Sequence, residues 1–136
     1  MPRILLAEDN RINQVVAAGV LKKLGFAVDI VDDGAAAVAA FTAGEYDAVL
    51  MDVMMPGVDG YEATGLICKH ERRLGLAAVP IIGLSARAMA GDREIAIESG
   101  MNDYLTKPVR TGELAEALDR WVGPAVDDAT VLQLAP

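Results

Sequence analysis

Short apolar runs alternate with longer, helix-like segments along the chain. Each run is four to six residues long and most carry no charge, which is typical of strands buried on both faces of a sheet. The predicted strands are residues 4–7, 26–31, 48–51, 79–84 and a weaker fifth at 103–106. Strand followed by helix, five times over, predicts an α/β fold in which helices cover both faces of a parallel sheet.

Capping residues mark where the intervening helices begin and end. Asn10, Asp33 and Asp59 can each satisfy the free N–H groups of a first helical turn, and Glu62 completes a capping box with Asp59. Gly25 stands where a left-handed residue would end the first helix. The predicted helices run from these caps to residues 24, 42 and 74, and a short fourth helix covers 92–99.

The last helix has the clearest amphipathic pattern, with apolar residues at positions i, i+3, i+4 and i+7. These residues are Leu114, Ala117, Leu118 and Trp121. We expect this face, Trp121 included, to pack into the core. A Val-Gly-Pro sequence then breaks the helix, which predicts a folded domain over 1–122 and a tail or linker over 123–136.

The composition is that of one folded domain. Hydrophobic residues make up 53% of the 136 residues, enough for a sizeable core. A net charge of −8 argues against direct binding to nucleic acid or to an anionic membrane. Cys68 is the single cysteine, no apolar run approaches the roughly 20 residues of a membrane span, and the first strand follows Arg3 directly. We therefore expect a cytoplasmic protein.

Unusual polar residues follow four of the predicted strands. Glu8 and Asp9 come after the first strand, Asp52 after the third, Ser85 after the fourth and Lys107 after the fifth. Ligands of an open parallel sheet bind outside the carboxyl ends of its strands. The sequence therefore predicts that three carboxylates, a hydroxyl and an ammonium meet in one crevice.

Three ionised carboxylates in one crevice repel each other by about 4 kcal/mol for each close pair. Either protons or a divalent cation must neutralise them. The available ligands are oxygens, since the single His70 falls in the third helix, away from the crevice. Oxygen ligands suit Mg²⁺, or Mn²⁺, better than zinc or copper.

A metal ion together with Lys107 and Ser85 suits chemistry on a phosphoryl group, where charge must be stabilised at fixed positions. Asp52, at the end of a buried central strand, would then be a nucleophile that forms an acyl phosphate. An aspartate could instead cap the following turn, but an unpaired charge at the end of a buried strand is costly.

Four segments at these strand ends resemble the receiver domain of two-component response regulators. The segments are ILLAEDN at 4–10, VLMDVMMPGVDG at 49–60, IIGLSA at 81–86 and DYLTKP at 103–108. The resemblance implies a flavodoxin-like, doubly wound (βα)5 fold with strand order 2-1-3-4-5. The resemblance covers about residues 3–121 and implies a receiver domain over 1–122.

The resemblance assigns a role to each acidic residue of the crevice. Asp52 would take a phosphoryl group from a phosphohistidine. Glu8, Asp9, Asp52 and the backbone carbonyl of Met54 would hold Mg²⁺.

The resemblance also implies a conformational switch. Lys107 would pair with the phosphoryl group beside a cis bond to Pro108, and Ser85 would move toward the phosphoryl oxygens. Tyr104 would move inward in step and change the face formed by the fourth helix, fifth strand and fifth helix. Arg87, with Met54, would flank the mouth of the site.

The run EDNRINQ at 8–14 is similar to receivers appended to hybrid histidine kinases. We therefore favour a fragment of such a kinase, whose parent protein could be membrane-anchored, over a stand-alone single-domain regulator. The expected partner is a histidine kinase or histidine phosphotransfer protein that docks on Asn13, Gln14, Ala17 and the 107–109 loop. The expected state is a monomer or a dimer that forms on phosphorylation.

Two other classes of protein fit the sequence less well. Phosphatases of the haloacid dehalogenase type have a second aspartate two residues after the nucleophile, where this chain has Met54, and the chain has no room for a cap domain. A flavin carrier on a similar sheet needs a phosphate loop after the first strand, where Glu8 and Asp9 would repel FMN phosphate. We therefore expect a signalling phosphoacceptor that catalyses its own phosphorylation and slow dephosphorylation, not an enzyme that turns over a separate substrate.

Overall fold

The computed structural model describes residues 2–86 and 90–122. Within them, five strands alternate with five helices, as the sequence predicts. The strands are β1 (Arg3–Ala7), β2 (Ala27–Val31), β3 (Ala48–Asp52), β4 (Ile81–Ser85) and β5 (Asp103–Thr106). The helices are α1 (Arg11–Lys23), α2 (Gly34–Ala43), α3 (Gly60–Leu74), α4 (Asp92–Ser99) and α5 (Thr111–Trp121). The predicted tail at 123–136 and Arg87 lie outside the described residues.

The strands form one parallel sheet in the order β2-β1-β3-β4-β5, which confirms the predicted topology. In the register of the central pair, Ala7 lies opposite Met51, and Asp52 lies opposite Leu84 of β4. The carboxyl ends of β1, β3 and β4 are therefore level with each other. This register brings residues that are far apart in sequence to one edge of the sheet.

Alternate residues of the central strands enter two separate cores. Leu5, Val49 and Met51 pack on the face covered by α2 and α3, with part of α4. Ile4 and Leu50 pack on the opposite face, against α1 and α5. Because both faces are covered, these strands are apolar at every position.

The edge strand β2 departs from the prediction that every strand is buried on both faces. Its residues are half-buried, and Ile30 is exposed. Asp29 of this strand accepts a hydrogen bond from the Tyr46 hydroxyl at 2.8 Å and lies 3.7 Å from Arg3. Within residues 2–86 and 90–122, β2 pairs with another strand on one side only, so an acidic side chain is tolerated there.

β4 begins at Ile81, two residues later than predicted. Pro80 has no N–H for the sheet ladder. The N–H of Val79 instead donates to the buried carboxylate of Glu71 at 2.8 Å, which ties the loop before β4 to α3. The apolar pattern could not distinguish these two loop residues from the strand that they precede.

The predicted caps are present. The side chains of Asn10, Asp33 and Asp59 accept hydrogen bonds from the backbone N–H three residues later, at 3.0, 2.6 and 2.8 Å. Gly75 ends α3 in the left-handed conformation, with φ of 67°, which a side chain would strain. Throughout residues 2–86 and 90–122, each helix is too short or too polar to span a bilayer.

The predicted core position of Trp121 is wrong, because its side chain is 38% exposed. The indole N–H donates to Oδ2 of Asp103 at 3.0 Å, and Arg120 donates to the same oxygen at 3.0 Å. Arg93 of α4 lies 3.4 Å from the other carboxylate oxygen, which also accepts from the Tyr104 N–H. The buried Asp103 thus joins α4, β5 and the end of α5.

These donors favour the ionised form of Asp103. Burial alone would raise the pKa of this carboxyl, but the hydrogen bonds from Trp121 and the Tyr104 N–H, together with the two arginines, more than offset it. The pKa of Asp103 therefore lies below its ordinary value, and the ionised form stabilises the fold.

We expect Asp103→Asn to lower the free energy of unfolding by about 1–3 kcal/mol, since buried charge-assisted hydrogen bonds are lost. The difference from wild type should be complete above about pH 4, the ordinary value for aspartate, and should disappear as the pH falls through the lower folded-state pKa. Urea unfolding across this range measures it, with the exposed Glu98→Gln on α4 as control. A difference that does not depend on pH would contradict the ionised Asp103.

Candidate functional site

The carboxyl edge of the sheet brings Glu8, Asp9, Asp52 and Lys107 together. Glu8 directly follows β1, and Asp52 ends β3, which pairs with β1. One carboxylate oxygen from each of Glu8, Asp9 and Asp52 lies within 4.8 Å of the others. Lys107 follows β5, and its long side chain crosses the end of β4 to reach them. The three carboxylates and the ammonium of the predicted crevice therefore meet at this edge.

The Lys107 ammonium lies between two of the carboxylates. Its Nζ is 3.0 Å from Oε1 of Glu8 and 3.2 Å from Oδ2 of Asp52, and the side chain is only 14% exposed. Burial alone would lower the pKa of Lys107, but the hydrogen bond to Glu8 and the charge of Asp52 raise it above its ordinary value. Lys107 therefore remains a cation at neutral pH.

Asp52 is buried, with its side chain 1% exposed. Its Oδ1 accepts a hydrogen bond from the Met54 N–H at 3.1 Å. Its Oδ2 is buried and has no hydrogen-bond partner among the described residues, although the Lys107 charge lies near it. Burial, and then the neighbouring Glu8 carboxylate, raise the pKa of Asp52 to about 7.

Glu8 is also fully buried but is held in its ionised form. Burial alone would raise the pKa of Glu8, yet its contacts with Asp52, the Asn10 N–H and Lys107 bring it below the ordinary value. Its Oε2 accepts from the Asn10 N–H at 3.1 Å, and its Oε1 accepts from Lys107. The two neighbouring acids thus differ: Glu8 is satisfied as an anion, and Asp52 is not.

A divalent cation fits the donors that remain. With Glu8, Asp9 and Asp52 all ionised, three negative charges face the single positive charge of Lys107. The buried Oδ2 of Asp52 has spare lone pairs, and Asp9 is exposed, so the cluster opens to solvent. Since all three donors are carboxylate oxygens, the chemistry favours a hard ion such as Mg²⁺.

Backbone contacts fix the rim of the site around these acids. Ser85 ends β4 and is buried, and its carbonyl accepts from the Lys107 N–H at 2.6 Å. The Lys107–Pro108 peptide is cis, as the resemblance implies. The Met54 side chain is 70% exposed, and the assignment of its carbonyl as a metal ligand stays a prediction.

Comparison with known proteins identifies the family. Residues 4–119 match the family model described as the response regulator receiver domain. The chain belongs to the response regulator receiver family.

Receivers of sensor kinases are among the similar proteins. This receiver is 41% identical over 125 residues to the sensor protein GacS of Pseudomonas syringae, an alignment that covers 92% of this chain and 14% of GacS. The chain therefore spans about one seventh of that relative's length.

Two solved receivers have the same fold. The receiver domain of the sensor histidine kinase PA1611 from Pseudomonas aeruginosa, solved with a magnesium ion in its active-site cleft, is 47% identical. The TM-score is 0.79, and the match covers 90% of this chain and 98% of that one. The Ssk1 receiver of Saccharomyces cerevisiae, solved with the histidine phosphotransfer protein Ypd1, has a TM-score of 0.84 at 32% identity, over 89% and 90% of the two chains.

Tyr104 of this receiver already lies inside, with 8% of its surface exposed. Gly83 of the neighbouring β4 makes room for the ring: a β-carbon there would lie 3.2 Å from Cδ1 of Tyr104 and 2.6 Å from Sδ of Met101. Tyr61 of α3 packs beside this cluster. Burial, and then the charge and hydrogen bond of Tyr104, raise the pKa of Tyr61 to about 12.

Sequence reasoning missed Tyr61 and Gly83. A glycine within a buried strand signals that another group approaches the backbone closely, so Gly83 could have been noticed. Tyr61 gives no such signal, because its contact with Tyr104 joins residues that lie 43 positions apart in sequence.

The raised pKa of Asp52 predicts that its ionisation lowers the stability of the fold. We expect Asp52→Asn to unfold at a higher temperature than wild type above pH 7 in EDTA, because the fold no longer holds an unfavourable ionised carboxylate. Since the folded-state pKa is the higher one, this advantage should shrink as the pH falls below about 7 and vanish below about pH 4. Thermal melts across this range measure it.

The exposed Asp119→Asn on α5 is the matched control and should show no such trend. Equal melting temperatures of wild type and Asp52→Asn above pH 7 would contradict the unfavourable ionisation of Asp52.

Proposed function

We propose that Asp52 accepts a phosphoryl group from a phosphohistidine, in a reaction that needs Mg²⁺ or Mn²⁺. The observation that carries this proposal is the buried Oδ2 of Asp52, which has no hydrogen-bond partner in the described part of the chain and lies near Lys107 and two other carboxylates. The magnesium ion in the similar PA1611 receiver supports the choice of metal. Glu8, Asp9, Asp52 and the Met54 carbonyl would hold the ion.

In the proposed reaction, Oδ2 of Asp52 attacks phosphorus. A P–O bond forms, the P–N bond to the donor histidine breaks, and the electron pair returns to the imidazole. The metal would supply positive charge that offsets the repulsion between the acids and the phosphoryl oxygens. The nucleophile is the ionised form of Asp52, which a bound cation would favour.

Lys107 is suited to the charge that the phosphoryl group brings. Its ammonium is already held between Glu8 and Asp52, so it needs little reorganisation to contact a phosphoryl oxygen on Asp52. The Ser85 hydroxyl would bind a second oxygen from the neighbouring strand end. In this proposal the position of the buried Tyr104 ring is coupled to the movement of Ser85. The ring in turn determines the shape of the surface formed by α4, β5 and α5.

The partner is proposed to be a histidine kinase or a histidine phosphotransfer protein, as Ypd1 is for the similar Ssk1 receiver. Beside the acidic site, α1 exposes Ile12, Val15 and Val16, an apolar patch that could receive a helical donor. Pro108 and Val109 continue this surface from the Lys107 loop, since they line a small cavity with Val16.

We further propose that residues 1–122 are a cytoplasmic receiver domain of a hybrid histidine kinase, whose parent protein could be membrane-anchored, and that 123–136 are a tail or linker. The small share of GacS that the chain covers supports this proposal. A stand-alone regulator is the alternative. In either case the domain would act as a signalling phosphoacceptor that promotes its own phosphorylation and slow dephosphorylation, as a monomer or as a dimer that forms on phosphorylation.

We expect acetyl phosphate with Mg²⁺ to add one phosphoryl group to the protein, measured by intact mass. Asp52→Asn should abolish the modification, because the amide cannot act as the nucleophile, and EDTA should abolish it in wild type. Asp119→Asn should be modified like wild type. Full modification of Asp52→Asn would reject Asp52 as the acceptor.

Lys107→Ala should slow phosphorylation about 100-fold, since one preorganised positive charge is lost from the transition state. Mg²⁺ binding should persist, because the carboxylates remain. Stopped-flow phosphorylation and a Mg²⁺ titration measure the two effects, with the exposed Lys69→Ala as control. A Lys107→Ala rate equal to that of wild type would remove Lys107 from the reaction.

A further inference from the structure

The loop between β1 and α1 presents two of the acids, and Glu8 within it is fixed at three points. Its N–H donates to the Val31 carbonyl at 3.0 Å, and its carboxylate accepts from the Asn10 N–H and from Lys107. Its backbone carbonyl accepts from Nε2 of Gln14 at 2.6 Å. The last contact comes from a side chain and is part-buried.

The helix backbone does not supply this hydrogen bond. The first bond of α1 runs from the Gln14 N–H to the Asn10 carbonyl at 2.9 Å, so the earlier Glu8 carbonyl lies beyond the helical ladder. A glutamine one turn into α1 has both the length and the N–H donor to reach back to it. The Gln14 side chain thus donates to a backbone carbonyl that the helix itself does not reach.

The Glu8 carbonyl belongs to the peptide group that leads into Asp9. A planar peptide fixes the position of the next Cα, so holding this oxygen also fixes the point from which the Asp9 side chain starts. Asp9 itself is exposed, and its carboxylate must lie with those of Glu8 and Asp52 for the three to share an ion.

We propose that Gln14 is a positioning residue of the metal site, which holds the Glu8–Asp9 peptide so that Asp9 faces Asp52. The inference rests on the proposed function, since it assumes that the three acids bind Mg²⁺. It differs from the expectation that Gln14 belongs to the docking surface for the phosphodonor, because it assigns the amide to a contact within the chain. Groups that orient metal ligands typically change metal affinity about 10–100-fold when removed.

The test is calorimetric titration of the purified protein with Mg²⁺, with no phosphodonor present, so that a docking role cannot contribute. Gln14→Met keeps the length of the side chain but has no donor, and Gln14→Ala removes the side chain. Both should raise the Mg²⁺ Kd about 10-fold. Lys23→Ala is the control: Lys23 is exposed in the last turn of α1, away from the acids, so the Kd of this variant should equal that of wild type.

Thermal melts in EDTA separate positioning from a merely structural role. If Gln14→Met melts at a lower temperature but binds Mg²⁺ as wild type does, Gln14 supports the fold alone and the inference is overturned. If Lys23→Ala weakens binding as much as Gln14→Met, the effect is not specific to Gln14 and the inference also fails. Absence of Mg²⁺ binding by wild type would instead overturn the proposed function, and that result is distinct from both.

Discussion

The buried contact between Lys107 and the carboxylates of Glu8 and Asp52 is the constraint around which the functional edge of the sheet is arranged. One ammonium lies near two buried acids, and a third acid lies close by at the surface. The ammonium makes the burial of Glu8 tolerable, but it cannot balance every charge. Asp52 carries the negative charge that Lys107 does not balance. A site with this excess of negative charge attracts a further cation.

The sheet makes this arrangement possible because it is rigid and in register. β1 and β3 are neighbours in space although a strand and two helices separate them in sequence, so acids at their ends must meet. The loop after β5 is tied to β4 by the bond between the Lys107 N–H and the Ser85 carbonyl. The position of each charged group thus follows from backbone pairing, and each acid is then oriented by local hydrogen bonds.

The sequence was sufficient for features that depend on chain direction and strand order. Glu8, Asp9, Asp52 and Lys107 were predicted together because parallel strands place their carboxyl ends at one edge. Features that depend on contacts between side chains were not predictable in this way. Trp121 has the correct helical phase for burial, yet periodicity shows only which way a residue faces, and not whether the neighbouring elements extend far enough to cover it. The reach of Gln14 to Glu8 and the contact of Tyr61 with Tyr104 likewise depend on the folded geometry.

Asp103 has a mechanical consequence for the end of the domain. Its carboxylate is bonded to Trp121, the last residue of α5, while its own backbone continues directly into Tyr104. Any shift of β5 at this point must either pull the end of α5 along or break a charge-assisted hydrogen bond. The end of α5 is therefore mechanically coupled to the strand that carries Tyr104.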